Sequence, residues 1–249
     1  MQLKYTKETV AENIRIADNI FKLTVKGNLQ GYPGQFYMLR SWSMEPFLSR
    51  PISINYRDDN SISFLYEVRG EGTKLFSKLK TGDEIELLGP LGNGFKTKEI
   101  AGRVAVVTGG IGIAPMYYTI KSLMKLSKCD IDLYAGFREE VYLVDELQKH
   151  VENIYLSTDN GKKGHKGYIT DIFEPIDYDI VLCCGPEIMM NKVIKKCNEA
   201  NVPVYVSMEK HMACGIGACL GCTCKTVEGN KRTCKEGPVF SGKEVVIDA

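Results

Sequence analysis

The sequence lacks any long apolar segment. No uninterrupted apolar run approaches the ~18 residues that a membrane-spanning helix needs. Residues 1–7 also lack the apolar stretch that is typical of a secretory signal. From these two absences we expect a cytoplasmic protein without a membrane partner.

The sequence also lacks an excess of charge of either sign. Its 32 lysines and arginines balance 31 aspartates and glutamates, which gives a formal net charge of +1. Nucleic-acid-binding proteins usually carry a basic excess or a basic stripe, so we expect no nucleic-acid partner. Internal repeats and low-complexity segments are missing too, and 249 residues suffice for one or two ordinary globular domains.

Cysteine, in contrast, is abundant and unevenly distributed. Five of the nine cysteines fall within residues 214–234. In a reducing compartment, such a cluster favours metal binding over disulfide formation.

The first hundred residues have the pattern of β structure. Large apolar residues occupy every second position of residues 62–68, which predicts a half-buried strand. Further strands are predicted at residues 36–39 and 84–88, a short helix at about residues 73–79, and a Gly- and Pro-rich turn at residues 89–94. Many short strands with such turns predict a small antiparallel β-barrel, with a sandwich as the alternative.

The pattern changes near Ala101. Residues 104–107 form a continuous apolar run, as expected for a parallel strand that is buried on both faces. A Gly-rich turn and a predicted helix at residues 116–126 follow. More strands are predicted at residues 131–135, 154–157, 180–183 and 204–206, with a helix at residues 187–200. Alternating strands and helices predict an α/β domain with a parallel sheet.

From Glu209 onward the chain is rich in glycine and cysteine. About 40 residues are too few to build an apolar core, so this segment needs a metal centre or another cross-link. We therefore expect a multidomain chain with a β-barrel over residues 1–98, an α/β nucleotide-binding domain over residues 99–208 and a small metal-binding subdomain over residues 209–249.

The cysteine spacing identifies the metal centre. C-x4-C-x2-C followed by a distant fourth cysteine is the spacing of plant-type [2Fe–2S] proteins. Glycines between the cysteines let backbone amides turn toward the cluster sulfurs. A zinc knuckle or buried free thiols are the alternatives, but zinc sites usually pair two C-x2-C units. Cys224 would change the spacing and is left out. The predicted ligands are Cys214, Cys219, Cys222 and Cys234.

Two short motifs in the barrel segment suit a phosphate-bearing cofactor. In R-P-I-S at residues 50–53, Arg50 can hold a phosphate by a bidentate contact. In G-E-G-T at residues 70–73, small residues precede a short helix and allow amides to approach a pyrophosphate. Each motif alone is more often a simple turn or a capped helix start.

A third motif follows the first buried strand. T-G-G-I-G-I-A-P at residues 108–115 has the strand, glycine turn and helix context of a dinucleotide phosphate site. It departs from G-x-G-x-x-G, which disfavours a Rossmann dehydrogenase. A merely tight β–α turn is the alternative.

In their order and intervals, these motifs resemble the ferredoxin–NADP reductase superfamily. The resemblance rests on R-P-x-S, on G-x-G-T about twenty residues later, on G-x-G-x-A-P and on C-G-P at residues 184–186. It implies an FAD site formed by Arg50, Pro51, Ile52, Ser53, Glu67, Val68, Arg69, Gly72 and Thr73. It implies an NAD site formed by Gly110, Gly112, Ala114, Pro115, Gly185 and Pro186.

The resemblance also places Cys184 beside the nicotinamide, as a candidate neighbour of the hydride path. The alternative for Cys184 is a buried small apolar residue, which is the commonest role of a free cysteine. For the choice between the two nucleotides, Glu139 and Glu140 follow the second predicted strand of the α/β domain. Acidic residues there disfavour a 2′-phosphate, so NAD is expected, although Arg138 opposes this preference.

Within this superfamily, the tail resembles the electron-transfer subunits of class 1B dihydroorotate dehydrogenase. H-M-A-C-G-I-G-A-C at residues 211–219 and K-E-G-P-V-F at residues 235–240 carry the likeness, which covers almost the whole chain. It implies a heterotetramer of two such subunits with two FMN-containing catalytic subunits. Electrons from dihydroorotate would pass from the FMN through [2Fe–2S] and FAD to NAD⁺.

Two alternatives of different classes remain at this point. One is the flavin subunit of another NAD(P)H–ferredoxin or sulfide oxidoreductase complex, which has the same three-part plan. The other is a non-enzymatic iron–sulfur binding module or redox sensor that binds no nucleotide. The three histidines, His150, His165 and His211, do not form a base–nucleophile set.

Overall fold

The N-terminal part of the protein is a closed antiparallel barrel. The computed structural model describes residues 3–247. Six strands close in the order β1-β2-β5-β4-β3-β6. A short helix, α1 (Glu71–Phe76), lies between β5 and β6. The strands are β1 (Lys4–Ala17), β2 (Ile20–Lys26), β3 (Phe36–Arg40), β4 (Arg50–Arg57), β5 (Ser61–Glu67) and β6 (Glu84–Leu91).

The barrel confirms the predicted architecture and corrects three details. Ile62, Phe64 and Tyr66 face the barrel core as predicted, but Leu65 on the opposite face is also buried, because the second domain packs against it. The predicted half-buried strand is therefore buried on both faces. β6 runs on to Leu91, so the turn predicted from residue 89 begins too early. α1 begins two residues before the predicted helix and ends three residues before its predicted end.

The second part is an α/β domain built on one seven-stranded sheet, in the order β10-β9-β8-β7-β11-β12-β15. All of its strand pairs are parallel except the last, between β12 and β15. Its strands are β7 (Gly102–Gly109), β8 (Cys129–Phe137), β9 (Asn153–Thr158), β10 (His165–Lys166), β11 (Ile180–Cys184), β12 (Val204–Ser207) and β15 (Val239–Ser241). Its helices are α2 (Ile113–Leu126), α3 (Val144–Leu147), α4 (Ile169–Ile172) and α5 (Glu187–Glu199).

The central strand β7 is buried on both faces, as its apolar run predicts. Val104 and Val106 pack in the cluster that includes α2, whereas Ala105 and Val107 pack in the cluster that includes α5. Because helices cover both faces of such a strand, its carboxyl end is the position that stays open to a ligand.

The C-terminal segment is fastened to the α/β sheet at both ends. It leaves the sheet after β12 and contributes a hairpin of β13 (Thr223–Thr226) and β14 (Gly229–Arg232). It then returns as β15, which pairs antiparallel with β12. The amide of Met208 also donates to the carbonyl of Pro238 at 2.9 Å. The cysteine loop therefore has a fixed position relative to the nucleotide domain.

Aromatic side chains join the barrel to the α/β domain. Tyr56 of β4 makes edge-on contacts with Tyr117 and Tyr118 of α2, at ring-centroid distances of 6.1 and 5.8 Å. The hydroxyl of Tyr118 donates to the carbonyl of Gly31 at 3.3 Å. No helix within residues 3–247 combines the length and the apolarity that crossing a membrane requires.

Candidate cofactor sites at the junction of the three parts

A cavity of about 240 Å³ lies where the barrel, the α/β domain and the cysteine-bearing segment meet. Its walls contain apolar residues with a few polar groups, which is the usual composition of a cofactor site. Predicted site residues from two domains converge on it, namely Pro51, Ile52, Ser53, Glu67, Arg69, Ala114 and Pro115. The cysteine-bearing segment adds Met212 and Pro238. The other predicted residues lie outside this lining.

Arg50, Gly72 and Thr73 form a compact turn next to the barrel wall. The Thr73 hydroxyl accepts hydrogen bonds from the amides of Arg69 and Gly70, at 3.0 and 3.1 Å. A β-carbon at Gly72 would lie 2.6 Å from the Nε atom of Arg50, so a larger residue there would push the Arg50 side chain away from this turn. The Arg50 guanidinium lies 5.4 Å from the Trp42 ring centre, which orients it by a cation–π contact. The turn thus holds a guanidinium beside small residues, as a phosphate site requires.

The two predicted nicotinamide motifs pack directly against each other. β7 and β11 are neighbouring parallel strands, and each motif begins at the carboxyl end of its strand. A β-carbon at Gly112 would lie 2.2 Å from the carbonyl oxygen of Cys184, and one at Gly185 would lie 2.8 Å from the amide nitrogen of Gly109. Gly110 has φ +53°, and a β-carbon added there would meet no heavy atom within 4 Å, so space above this turn is open. Ligands bind in such crevices at strand ends in α/β sheets.

Cys184 has the environment of a packing residue. It is 1% exposed, and burial raises the pKa of its thiol well above the usual value. A reactive cysteine needs an accessible thiolate, which this site disfavours. Cys184 nevertheless hydrogen-bonds to Ser207, which lines the cavity.

The sequence did not single out Glu209, which also lines the cavity. Surrounding protein excludes water and raises the pKa of the Glu209 carboxyl, while Arg69 opposes this shift and Glu67 adds to it. The Arg69 guanidinium in turn donates to the Glu67 carboxylate at 2.7 Å. The available signal was the position of Glu209, two residues after a buried strand and five before the first cysteine of the motif.

The cysteine loop turns backbone amides toward sulfur. Desolvation raises the pKa of Cys214, but hydrogen bonds from backbone amides of Cys219, Ile216 and Ala218 outweigh it and hold the pKa at about 6. Gly215 and Gly217 have φ of +71° and +84°, as the glycine spacing predicts. These amide donors suit an iron–sulfur cluster, which needs thiolates and hydrogen bonds to sulfur.

Two features of this loop differ from expectation or extend it. Leu220, rather than the neighbouring Gly221, has the left-handed conformation, with φ +61°. The amide of Gly221 still points to the Cys219 sulfur, at 3.5 Å. Cys224 packs into the core of the α/β domain.

The four predicted ligands lie as two pairs of thiols. Cys214 hydrogen-bonds to Cys219, and the amide of Cys234 donates to the sulfur of Cys222 at 3.4 Å. Cys222 and Cys234 are buried, whereas Cys219 is exposed. Within the part of the chain that the structure describes, no three His, Cys, Asp or Glu side chains converge as a single-ion site.

The cavity and the buried cysteine pair share wall residues. Phe36 and Met212 line the cavity and also pack in the apolar cluster that contains Cys222 and Cys234. The cavity and these two cysteines therefore border the same group of apolar side chains.

Comparison with protein families gives two matches. Residues 209–246 match the model described as the iron-sulfur cluster binding domain of dihydroorotate dehydrogenase B. Residues 106–195 match the oxidoreductase NAD-binding domain. Together they confirm the predicted iron–sulfur and nucleotide-binding parts.

Two curated relatives are similar over nearly the whole chain. The dihydroorotate dehydrogenase B (NAD(+)) electron transfer subunit of Clostridium acetobutylicum is 59% identical over 100% of both chains. The protein of the same name from Clostridium perfringens is 52% identical over 98% of this chain and 99% of its own.

Among solved structures, the NADH-dependent reduced ferredoxin-NADP oxidoreductase is 31% identical, with a TM-score of 0.85, over 97% of this chain and 90% of that chain. The ferredoxin reductase of carbazole 1,9a-dioxygenase shares the fold, with a TM-score of 0.71 at 17% identity over 83% of this chain and 69% of that chain. The predicted resemblance to the reductase superfamily is thus confirmed. The chain belongs to the family of dihydroorotate dehydrogenase B (NAD(+)) electron transfer subunits.

Proposed function

We propose that this chain is the electron transfer subunit of an NAD-dependent dihydroorotate dehydrogenase, and that it couples the FMN of a catalytic partner to NAD⁺. One observation carries the proposal: Phe36 and Met212 belong both to the wall of the cavity and to the apolar cluster that contains Cys222 and Cys234. Nucleotide turns border the same junction. An enzyme that couples one-electron to two-electron carriers needs these sites in contact.

The barrel side of the junction holds FAD. Arg50 binds a phosphate of the cofactor, since its guanidinium is held between Trp42 and Gly72. Ser53 offers a hydroxyl to the ring edge inside the cavity. When bound, FAD exchanges a hydride with nicotinamide and single electrons with an iron–sulfur cluster. The complete proposed set is Arg50, Pro51, Ile52, Ser53, Glu67, Val68, Arg69, Gly72 and Thr73.

The carboxyl ends of β7 and β11 hold NAD. The open space above Gly110 admits the pyrophosphate, and the contact between Gly112 and the Cys184 carbonyl sets the width of the crevice. The complete proposed set is Gly110, Gly112, Ala114, Pro115, Gly185 and Pro186, with Cys184 as a packing neighbour. NAD is preferred over NADP because Glu139 and Glu140 would repel a 2′-phosphate.

Four cysteines, Cys214, Cys219, Cys222 and Cys234, hold the [2Fe–2S] cluster through their sulfur atoms. Their spacing supports this assignment, and so do the backbone amides that already stabilise negative charge on the Cys214 sulfur. The three functions divide along the chain as a barrel over residues 1–98, a nucleotide domain over residues 99–208 and a cluster subdomain over residues 209–249.

The partner is an FMN-containing catalytic subunit, in a heterotetramer of two chains of each kind in the cytoplasm. The cysteine loop supports contact with such a partner, because Cys219 is exposed and its neighbours Ile216 and Leu220 expose 45% and 62% of their surfaces. Apolar residues exposed beside a redox centre favour docking of another redox subunit.

Co-purification tests the proposal. The chain is expressed together with an FMN-containing dihydroorotate dehydrogenase subunit under anaerobic conditions, and reduction of NAD⁺ by dihydroorotate is followed by the absorbance of NADH. The proposal requires flavin and iron in the complex and activity that depends on this chain. Flavin and iron without activity, in a complex that reduces ferredoxin instead, would favour the function named for the 31% identical structure. Iron without flavin would favour a non-enzymatic iron–sulfur module.

A further inference from the structure

The side chain of Arg232 connects the hairpin to the cysteine loop. Arg232 is the last residue of β14, two residues before Cys234. Its Nη1 atom donates to the carbonyl of Gly217 at 2.8 Å, in the middle of the loop between the first two cysteines. Arg232 therefore bridges the two sequence segments that contribute the proposed cluster ligands.

Glu236 holds Arg232 from the other side. The carboxylate accepts from the Arg232 backbone amide at 2.7 Å and from its Nε atom at 3.0 Å, and it also contacts Nη2. A glutamate and an arginine are both ionised at neutral pH, so these contacts join a carboxylate to a guanidinium. Both side chains are about one-third exposed, at 34% and 33%.

The guanidinium is the member of this pair that reaches the cysteine loop, because its Nη1 atom donates to the carbonyl of Gly217. Gly217 lies between Cys214 and Cys219, and Arg232 itself is two residues from Cys234, so three of the four proposed ligands flank this contact in sequence. Reduction of a cluster adds one negative charge to the region of these sulfurs. A nearby cation stabilises that charge and an anion opposes it, and screening by solvent weakens both effects at a partly exposed site.

We propose that Arg232 is a positioning residue that fixes the cysteine loop through Gly217 and raises the reduction potential of the cluster, and that Glu236 moderates this increase. The proposal rests on the proposed function in one respect, namely that the four cysteines hold a [2Fe–2S] cluster. It adds a specific pair of charges that sets how readily the cluster accepts an electron.

The two charges have opposite expected effects, which separates electrostatics from simple damage to the fold. Arg232→Gln removes the cation, so the cluster becomes harder to reduce. Glu236→Gln leaves the cation unpaired, so the cluster becomes easier to reduce. Each substitution should change the one-electron reduction equilibrium roughly threefold, or about 28 mV at 59 mV per tenfold change.

The matched control is Lys231→Gln. This neighbour removes one positive charge from the same strand, but its ammonium is bound by Glu228 at 2.8 Å and by Glu244 at 3.2 Å. Successive side chains of a strand point to opposite faces, so Lys231 points away from Arg232. The potential of this variant should remain that of the wild type.

The experiment is an anaerobic redox titration of the purified subunit, or of its complex, followed by the EPR signal of the reduced cluster. Opposite shifts in Arg232→Gln and Glu236→Gln, with no shift in Lys231→Gln, support the proposal. Shifts of the same sign in both variants, or unchanged potentials with full iron content, overturn it.

A second measurement keeps the test decisive if Arg232→Gln fails to retain iron. Glu236→Gln is then judged alone against Lys231→Gln, and a potential that is unchanged or lower overturns the proposal. Arg232→Lys keeps the charge and should have a potential closer to the wild type than Arg232→Gln has. Absence of iron and labile sulfide from the wild type would instead refute the cluster itself. That result would be a failure of the proposed function, whereas wrong potentials in a protein that holds its iron would be a failure of the charge-pair proposal.

Discussion

Gly112→Ala should separate the two nucleotide turns without disturbing flavin or iron. Gly112 has φ −59° and ψ −15°, a helical conformation that alanine adopts freely. Any effect must therefore come from contact rather than from backbone strain. The added β-carbon would lie 2.2 Å from the carbonyl oxygen and 2.6 Å from the carbonyl carbon of Cys184.

The size of the effect follows from that contact. A β-carbon essentially never lies closer than 3.0 Å to a neighbouring heavy atom, and ordinary van der Waals contact begins at 3.4 Å, so the turns must move apart by about 1 Å. The clashing atoms belong to the backbone of β11, so no side-chain rotation relieves them. Overpacking of this kind costs about 1–3 kcal/mol of the free energy of unfolding. A misplacement of about 1 Å in a reactive geometry can lower a rate roughly 10²-fold.

Stopped-flow bleaching of the flavin by NADH measures this effect. We expect the rate to fall roughly 10²-fold in Gly112→Ala, with flavin and iron per chain unchanged. A wild-type rate in Gly112→Ala would refute the assignment of this crevice to the nucleotide.

Three further predictions test the other sites. Cys219→Ser should abolish reduction of NAD⁺ by dihydroorotate in the complex while the FMN of the catalytic partner is still reduced, and full retention of NAD⁺ reduction would contradict the proposed route. Gly72→Ala should displace the Arg50 guanidinium, since the new β-carbon would lie 2.6 Å from Nε. FAD affinity measured by fluorescence titration should therefore fall about tenfold, and an unchanged affinity would contradict a phosphate contact from Arg50. Burial raises the pKa of Glu209 above its unfolded value, so this group favours folding below the unfolded pKa and loses that contribution as pH rises through the folded pKa. The melting temperature of Glu209→Gln should therefore increase relative to that of the wild type as pH rises. A difference in melting temperature that does not depend on pH would show that the carboxyl is not desolvated.

Local sequence patterns predicted the barrel, the α/β domain and about half of the strands. The apolar run of β7 and the alternation in β5 are properties of short segments, and both strands formed where they were predicted. The burial of Leu65 was not predictable in this way, because it depends on a domain that lies elsewhere in the sequence. β15 was missed for a similar reason, since three residues after a glycine-rich loop become a strand only when β12 offers an edge.

The same distinction applies to the sites. Motifs with fixed spacing, such as R-P-I-S and the cysteine loop, can be recognised from the sequence alone. Glu209 and the pair of Arg232 and Glu236 cannot, because their importance arises from neighbours brought close by folding. A single arginine in a hairpin is indistinguishable in sequence from an ordinary surface cation.

The pairing of β12 with β15 has a consequence for how such proteins can diversify. Residues 208–238 enter and leave at adjacent strands, and the Met208–Pro238 hydrogen bond closes their base. An insert with its two ends side by side can be exchanged or lengthened without rebuilding its host, because the host needs only the spacing of two neighbouring strands. The cysteine-bearing segment is thus an insert between two neighbouring strands, and Met212 and Pro238 are the points where it also completes the wall of the cavity.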